Sequence, residues 1–344
     1  MRSRLPELGS LKIDSITTPD STGIANETFF LRTRDGKDWG SDFVLRLESE
    51  SYLYLDADLD IHYEMHSRLR ANSSVPIPEV IAFEKDPAVL GVRFFLMRRV
   101  LGQSPPDRPN FNYAGWLHKM SPAEREKIWY NAVRVMSDLH KTRLSDFSDL
   151  GFRTESANGL VTCFNYWRRY ARWCDGYTNP LILAAEDWLE KYFPKSEEIN
   201  ECISWGDARL QNLLFDKTQC TAILDWDMVS MAGGEADLAW WAIADHKYTA
   251  SRGIPRLEGI RSPEKTIHLW ESLMERKAKN MDWHLVFASY RQALISFRLQ
   301  QLEKSNGSEK QGTREPSIGL QWLSCLLDLP LSDSITLPFV GLDR

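Results

Sequence analysis

The side chains best suited to chemistry lie in one short stretch, Trp205-Gly206-Asp207-Ala208-Arg209-Leu210-Gln211-Asn212, followed by Leu224-Asp225-Trp226-Asp227. Phosphoryl transfer from a nucleotide needs a carboxylate to orient and deprotonate the attacking hydroxyl. It also needs oxygen ligands for the magnesium that screens the phosphates. Asp207 suits the first role, and Asn212 and Asp225 the second, with Asp227 as a further candidate at the metal. Arg209, two residues after Asp207, offers a fixed cation to the transferred group. Each half carries a strand-like apolar run, and Lys217 to Thr221 between them has the length of a hairpin turn. A hairpin would carry all three side chains to one edge.

An Asp and an Asn five positions apart are weak alone; the arrangement around them is specific. It resembles the catalytic and metal loops of the aminoglycoside phosphotransferase and choline kinase-like superfamily, which shares the protein kinase fold. That family usually opens its catalytic loop with His-Gly-Asp, where this chain has Trp205-Gly206-Asp207. The Trp form is similar to the branch of kinase domains fused to some acyl-CoA dehydrogenases. Leu224 to Asp227 and Asp237 to Trp241 reproduce that branch's later motifs. The resemblance extends from about residue 10 to about residue 303. It implies an α+β, two-lobed kinase-like fold, with an antiparallel sheet plus helix in the N-lobe and a mainly helical C-lobe. It further implies ATP and Mg2+ as cofactors, and Asp237 as a brace that accepts backbone hydrogen bonds from the catalytic loop.

Composition agrees with a small-molecule enzyme. The 344 residues, 43% hydrophobic, can fill a substantial core. A formal net charge of -6 gives no basic footprint for nucleic acid or an anionic membrane, and it leans toward a cationic acceptor. No obligate protein partner is indicated. Five cysteines without a Cys-x-x-Cys pair fit a reducing cytoplasm, and no run is long enough to span a bilayer.

The elements that must position these groups follow from patterning. Leu11 to about Val100 is strand-like, with Phe29 to Arg32, Phe43 to Arg46 and Arg93 to Met97 as apolar runs and a helix over Asp58 to Leu69. The Pro-rich Gln103 to Pro109 marks the lobe boundary, giving an N-lobe of 1–102 and a C-lobe of 103–344. Ser121-Pro122-Ala123-Glu124 is a capping box opening a helix to His140. Further helices are expected at Phe164 to Cys174, Ile182 to Phe193, Pro263 to Arg276 and Trp283 to Glu303, with a polar loop over Lys304 to Pro316.

On the nucleotide side, the resemblance aligns Gly23, Ile24, Ala25, Asn26 and Thr28 with the phosphate-covering loop, although only one glycine is present. Where kinases place a lysine on the third strand, this chain has Arg46, permanently charged and bidentate. Glu64 is the only glutamate within Ile61 to Leu69 and so the candidate partner for Arg46, while alignment to the family sets His62 at that position. Met97, Arg98 and Arg99, with Val100, form the expected adenine hinge. The reading is an ATP- and Mg-dependent O-phosphotransferase. Its acceptor would be a hydroxy acid or hydroxyacyl compound, as the branch implies, or an antibiotic-like molecule, as the wider family implies. A nucleotide-binding pseudokinase acting as an interaction module is the alternative.

Overall fold

The computed structural model describes residues 11–19, 27–35, 38–49, 52–55, 58–147, 149–150, 158–305, 307 and 317–331. Its N-terminal part is an antiparallel sheet of β1 (Leu11–Thr17), β2 (Glu27–Asp35), β4 (Phe43–Leu47), β6 (Phe94–Arg98) and β5 (Val80–Glu84), in the order β1-β2-β4-β6-β5. The two-residue β3 (Asp38–Trp39) pairs with β2. Alternation along β4 divides the two faces. Leu31, Phe43, Leu45, Phe94 and Leu96 pack together on one side. Val44, Phe95 and Met97 pack on the other against Leu59 of helix α1 (Leu59–Asn72). By the same period, Arg46 shares the Val44 face and is aimed toward α1.

The α1 helix starts where the Asp58 side chain accepts from the Asp60 N–H at 3.0 Å, a cap contributing about 1 kcal/mol. Its buried stripe is Leu59, His62, Met65, His66 and Leu69, at helical spacing.

The rest of the chain is mainly helical. Helix α2 (Trp116–Lys119) is short, and α3 (Pro122–His140) carries the expected capping box. The Ser121 N–H donates to Glu124 at 2.8 Å and the Glu124 N–H returns to Ser121 Oγ at 3.3 Å. Helix α4 (Gly159–Trp173) begins five residues before the expected start, because Asn158 caps it by accepting from Leu160 and Val161. Helix α5 (Pro180–Lys191) uses Asn179 as cap with Pro180 in its first turn. A hairpin of β7 (Leu213–Asp216) and β8 (Gln219–Ile223) turns through Lys217 and Thr218 alone, with Lys217 at φ 53°. The turn is therefore tighter than Lys217 to Thr221. Helices α6 (Gly234–Tyr248), α7 (Pro263–Met274), α8 (Met281–Ser305) and α9 (Ile318–Leu327) complete the fold. Most of the polar segment after Ser305 lies outside the described residues.

Two cores lie below the sheet. One joins α4, α5, α6, α8 and α9; the other joins α1, α3, α7 and the β7-β8 hairpin around Trp205 and Trp226. Among the described residues no helix is long and apolar enough to cross a membrane.

Candidate active site

Asp207 sits in the turn ahead of the hairpin, and its carboxylate is gripped from three directions. Trp240 Nε1 donates to Oδ1 at 2.6 Å, while Arg209 Nε and Asn212 Nδ2 donate to Oδ2 at 3.0 and 2.6 Å. Burial alone would raise its pKa, but the Arg209 charge and the indole and amide donors outweigh that and hold it below the usual carboxylate range. The structure thus brings Asp207, Arg209 and Asn212 together.

Gly206 makes the turn possible. Its φ is +93°, and a Cβ there would lie 2.0 Å from the Met228 carbonyl oxygen. Asp237 braces the loop as the resemblance implies, accepting from the backbone N–H groups of Trp205 at 2.6 Å and Gly206 at 2.8 Å, and from Ser204 Oγ at 3.0 Å. His140 Nε2 donates to the same carboxylate at 2.9 Å. Its tautomer follows from Trp270, whose indole can only donate and does so to His140 Nδ1 at 2.8 Å.

Trp205 has a structural explanation. It is fully buried, and its indole N–H donates to the carbonyls of Leu224 at 2.8 Å and Asp225 at 3.0 Å. One side chain therefore ties the turn that carries Asp207 to the segment that carries Asp225.

Asp225 itself has φ 66°, a region that aspartate tolerates better than most residues. Burial, then the neighbouring carboxylates of Asp227 and Asp207, push its pKa well above the usual range. Asp227 behaves oppositely: burial works to raise it, but His62 and Arg46 prevail and hold it far down. His62 Nε2 lies 2.9 Å from Asp227 Oδ1 and Arg46 Nη2 3.8 Å from Oδ2. Far from an exposed acid, the Asp227 side chain is only 5% exposed.

These residues fit a divalent cation. The Asn212 amide nitrogen is committed to Asp207, so its oxygen faces away and accepts nothing from the described residues. The Asn212 backbone carbonyl accepts from the Leu224 N–H at 2.9 Å, which holds this residue next to the segment that carries the buried Asp225. Hard cations favour such oxygen sets.

The helix partner differs from the Glu64 expectation. Glu64 is 39% exposed and accepts from Arg68 Nε at 3.0 Å, one turn along α1, and does not reach Arg46. His62 lies in the buried stripe and meets the metal loop instead. Helical periodicity carried that signal, since residues 59, 62, 65, 66 and 69 form one face.

Thr28 lies on β2 directly opposite Arg46 of β4. Gly23, Ile24, Ala25 and Asn26 fall outside the described residues. In the hinge, Met97 is buried on β6, the Arg98 N–H is bound to the Glu79 carbonyl and the Arg99 N–H to the Asp42 carbonyl. Arg99 stacks its guanidinium 4.2 Å from the centroid of the Phe30 ring.

Three further residues had no signal in the motifs. Asp107, from the Pro-rich linker, binds Arg209 Nη1 at 3.0 Å, and Tyr248 donates to Asp107 while lying 3.2 Å from the same Nη1. Tyr54 comes from the segment before α1 and is 8% exposed. Burial, then the charges of Asp207, Asp225 and Asp227 in turn, push its phenol well above the usual value.

A family model described as "Phosphotransferase enzyme family" matches residues 16–268. The chain belongs to the phosphotransferase enzyme family. It is 25% identical to acyl-CoA dehydrogenase family member 10 of Mus musculus, over 71% of this chain and 21% of that one. It is 27% identical to family member 11 of Rattus norvegicus, over 87% and 37%. The chain thus spans well under half the length of these relatives. Among solved structures, a Ralstonia eutropha JMP134 protein assigned as an aminoglycoside phosphotransferase superposes with a TM-score of 0.69 at 20% identity, covering 94% of this chain and 97% of that one. A thermostable aminoglycoside phosphotransferase mutant in ternary complex with ADP and hygromycin B superposes at 0.58 with 15% identity, covering 95% and 97%. These superpositions establish the two-lobed kinase-like fold.

Proposed function

We propose that this phosphotransferase moves the γ-phosphoryl group of ATP onto a hydroxyl of a small anionic acceptor. The observation carrying the reading is the grip of Asn212 on Asp207: one amide orients the base with its nitrogen, while the Asn212 backbone carbonyl accepts from the N–H of Leu224, next in sequence to the buried Asp225. A pseudokinase scaffold would have no use for that division.

In this reading residues 1–102 cover the nucleotide and 103–344 carry catalysis and the acceptor. Arg46 holds the α- and β-phosphates. With the N–H groups of Arg98 and Arg99 already committed, the adenine meets the hinge through their carbonyls and through Val100. Asn212 and Asp225 would hold magnesium, whose charge screens the phosphates and the departing oxygen. Asp207 takes the acceptor's hydroxyl proton as the new O–P bond forms and the bond to the β-phosphate oxygen breaks, releasing ADP. Arg209 faces the transferred group, steadied by Asp107 and Tyr248.

Local charge argues for the acceptor class. The cations Arg209, Lys247 and Arg252 gather around Tyr248, with Lys247 Nζ 5.8 Å and the Arg252 guanidinium 5.5 Å from its ring centroid. Lys247 and Arg252 form no ion pair among the described residues. Burial, then the Arg209 charge, pull the Lys247 pKa down against the smaller opposite pull of Asp207 and Asp107. Such a rim suits a carboxylate or acyl phosphate-bearing acceptor and repels a polycationic antibiotic. The net charge of -6 therefore points the wrong way locally. The names of the acyl-CoA dehydrogenase relatives agree with a hydroxy acid or hydroxyacyl thioester.

The test is a mass-resolved transfer assay. Purified protein, magnesium and ATP are offered hydroxy acids, hydroxyacyl thioesters, amino alcohols, aminoglycosides and macrolides, beside Asp207→Ala. A product heavier by one phosphoryl group, confined to the anionic acceptors and absent in the variant, is expected. Phosphorylation of the aminoglycosides alone would overturn the acceptor class.

A further inference from the structure

Arg291, on α8, is 1% exposed, yet no carboxylate pairs with it among the described residues and its Nε has no hydrogen-bond partner. Instead its guanidinium lies 4.7 Å from the ring centroid of Trp240, 5.0 Å from Trp167 and 5.6 Å from Phe287. Its one good hydrogen bond runs from Nη2 to the carbonyl of Gly206 at 3.1 Å, with Met228 Sδ at 3.6 Å. A buried cation without an anion is costly, and an apolar side chain of similar volume would suit stability at least as well. Aromatic faces offset part of that cost.

The placement of the cage gives the charge a consequence. Gly206 immediately precedes Asp207, and the Trp240 indole that takes the cation on its face gives its N–H to Asp207 Oδ1 at 2.6 Å. A cation over an indole draws electron density toward itself and makes the N–H a better donor. Arg291 thus reaches Asp207 by two routes, one through the backbone carbonyl before it and one through the ring that orients its carboxylate. We propose that Arg291 is a positioning residue whose caged charge fixes the Trp240 indole and the Gly206 carbonyl, and through them the direction in which the Asp207 carboxylate faces the acceptor. This rests on Asp207 being the base, and it extends that reading to a residue on α8 that touches neither nucleotide nor acceptor.

The experiment uses the full chain with Arg291→Met, Arg291→Lys and, for assignment, Trp240→Phe. The Trp240 indole N–H is identified in proton-nitrogen spectra by its loss in Trp240→Phe, and its solvent exchange is followed. Arg291→Met is expected to exchange that proton at least about tenfold faster. It should bind ATP as the parent does and lower kcat at least about tenfold with little change in the ATP KM. Arg291→Lys should recover much of both losses. Unchanged exchange at Trp240 in Arg291→Met overturns the proposal. Trp167→Leu, which opens the cage while leaving the arginine and the catalytic loop in place, gives the same reading should Arg291→Met fail to fold: faster exchange supports it and unchanged exchange overturns it. Altered exchange in a protein with no detectable phosphoryl transfer would support Arg291 while defeating the enzymatic reading, so the two failures are separable.

Discussion

His62 Nε2 stands 2.9 Å from Asp227 Oδ1, and this contact joins the helix of the small lobe to the segment after the hairpin of the large one. In the proposed reading, the job that kinases give to a helix glutamate and a strand lysine is spread over His62, Arg46 and Asp227. We predict that His62→Ala weakens nucleotide affinity about tenfold, the scale seen when a group orienting a metal ligand is lost. Glu64→Ala, which removes only the exposed pair with Arg68, should leave affinity within about twofold. Calorimetric titration of both variants checks this, and equal losses would reverse the assignment.

Asp207→Asn should retain the folded structure and nucleotide affinity while kcat falls by about 10²–10⁴. Asparagine keeps one acceptor oxygen, for Trp240 on one side or for Arg209 and Asn212 on the other, and cannot take a proton. A variant with parental kcat would remove Asp207 from the proposed role.

For Asp225→Ala, the expected loss is linkage between magnesium and ATP. The parent should gain about 2.7 kcal/mol in stability at a hundredfold excess of Mg-ATP over its Kd. The variant should gain far less, while its unliganded melting temperature holds or rises, since one of three crowded buried carboxylates is gone. Thermal melts with and without magnesium decide between these outcomes.

Gly206→Ala tests the turn. The new methyl would meet the Met228 carbonyl oxygen in a backbone conformation reserved largely for glycine. A loss of at least about 2 kcal/mol is expected, with activity falling further as Asp207 is displaced. Chemical denaturation measures the first and turnover the second.

His284 sets a pH dependence away from the metal. Burial lowers its pKa to about 4; Glu235 pulls it up, and Arg291 and Arg276 press it down. The folded value lies below the unfolded value of 6.5, so unfolding takes up a proton between the two. Its stabilising contribution is complete above about pH 6.5 and is lost as pH falls toward 4, up to about 3 kcal/mol. His284→Phe should flatten that part of the stability profile. A profile unchanged by the substitution would assign the acid loss to other groups.

Much of this site was legible before the fold. The run from Trp205 to Asp227 drew attention because its polar side chains flank a hairpin at fixed offsets, and the structure does bring Asp207, Arg209 and Asn212 together there. The capping box at Ser121 set the start of α3 because its signal is local. Glu64 went astray because residue type was weighed above helical face, and the buried stripe belonged to His62. Helix α6 escaped notice because it is buried nearly all round, so no polar face marks its period. Asp107, Tyr54 and Arg291 reach the site only through tertiary packing from 100, 153 and 84 positions away from Asp207, and no local pattern announces that.

The segment Tyr52 to Leu55 leaves the sheet and lies on the helical lobe. Tyr170 donates its hydroxyl to the Leu53 carbonyl at 2.7 Å, the Leu55 N–H donates to the Tyr166 hydroxyl at 3.3 Å, and Arg298 reaches the Tyr52 carbonyl at 2.9 Å. This clasp adds to the chain crossing near Val100 and to the contacts that α1 already makes with the helical lobe through His62 and its buried stripe. A sheet tied down at several places along its length has no single line about which to swing. In the proposed reading a nucleotide therefore enters beneath a sheet already fastened to its floor, with Tyr54 buried in the fastening.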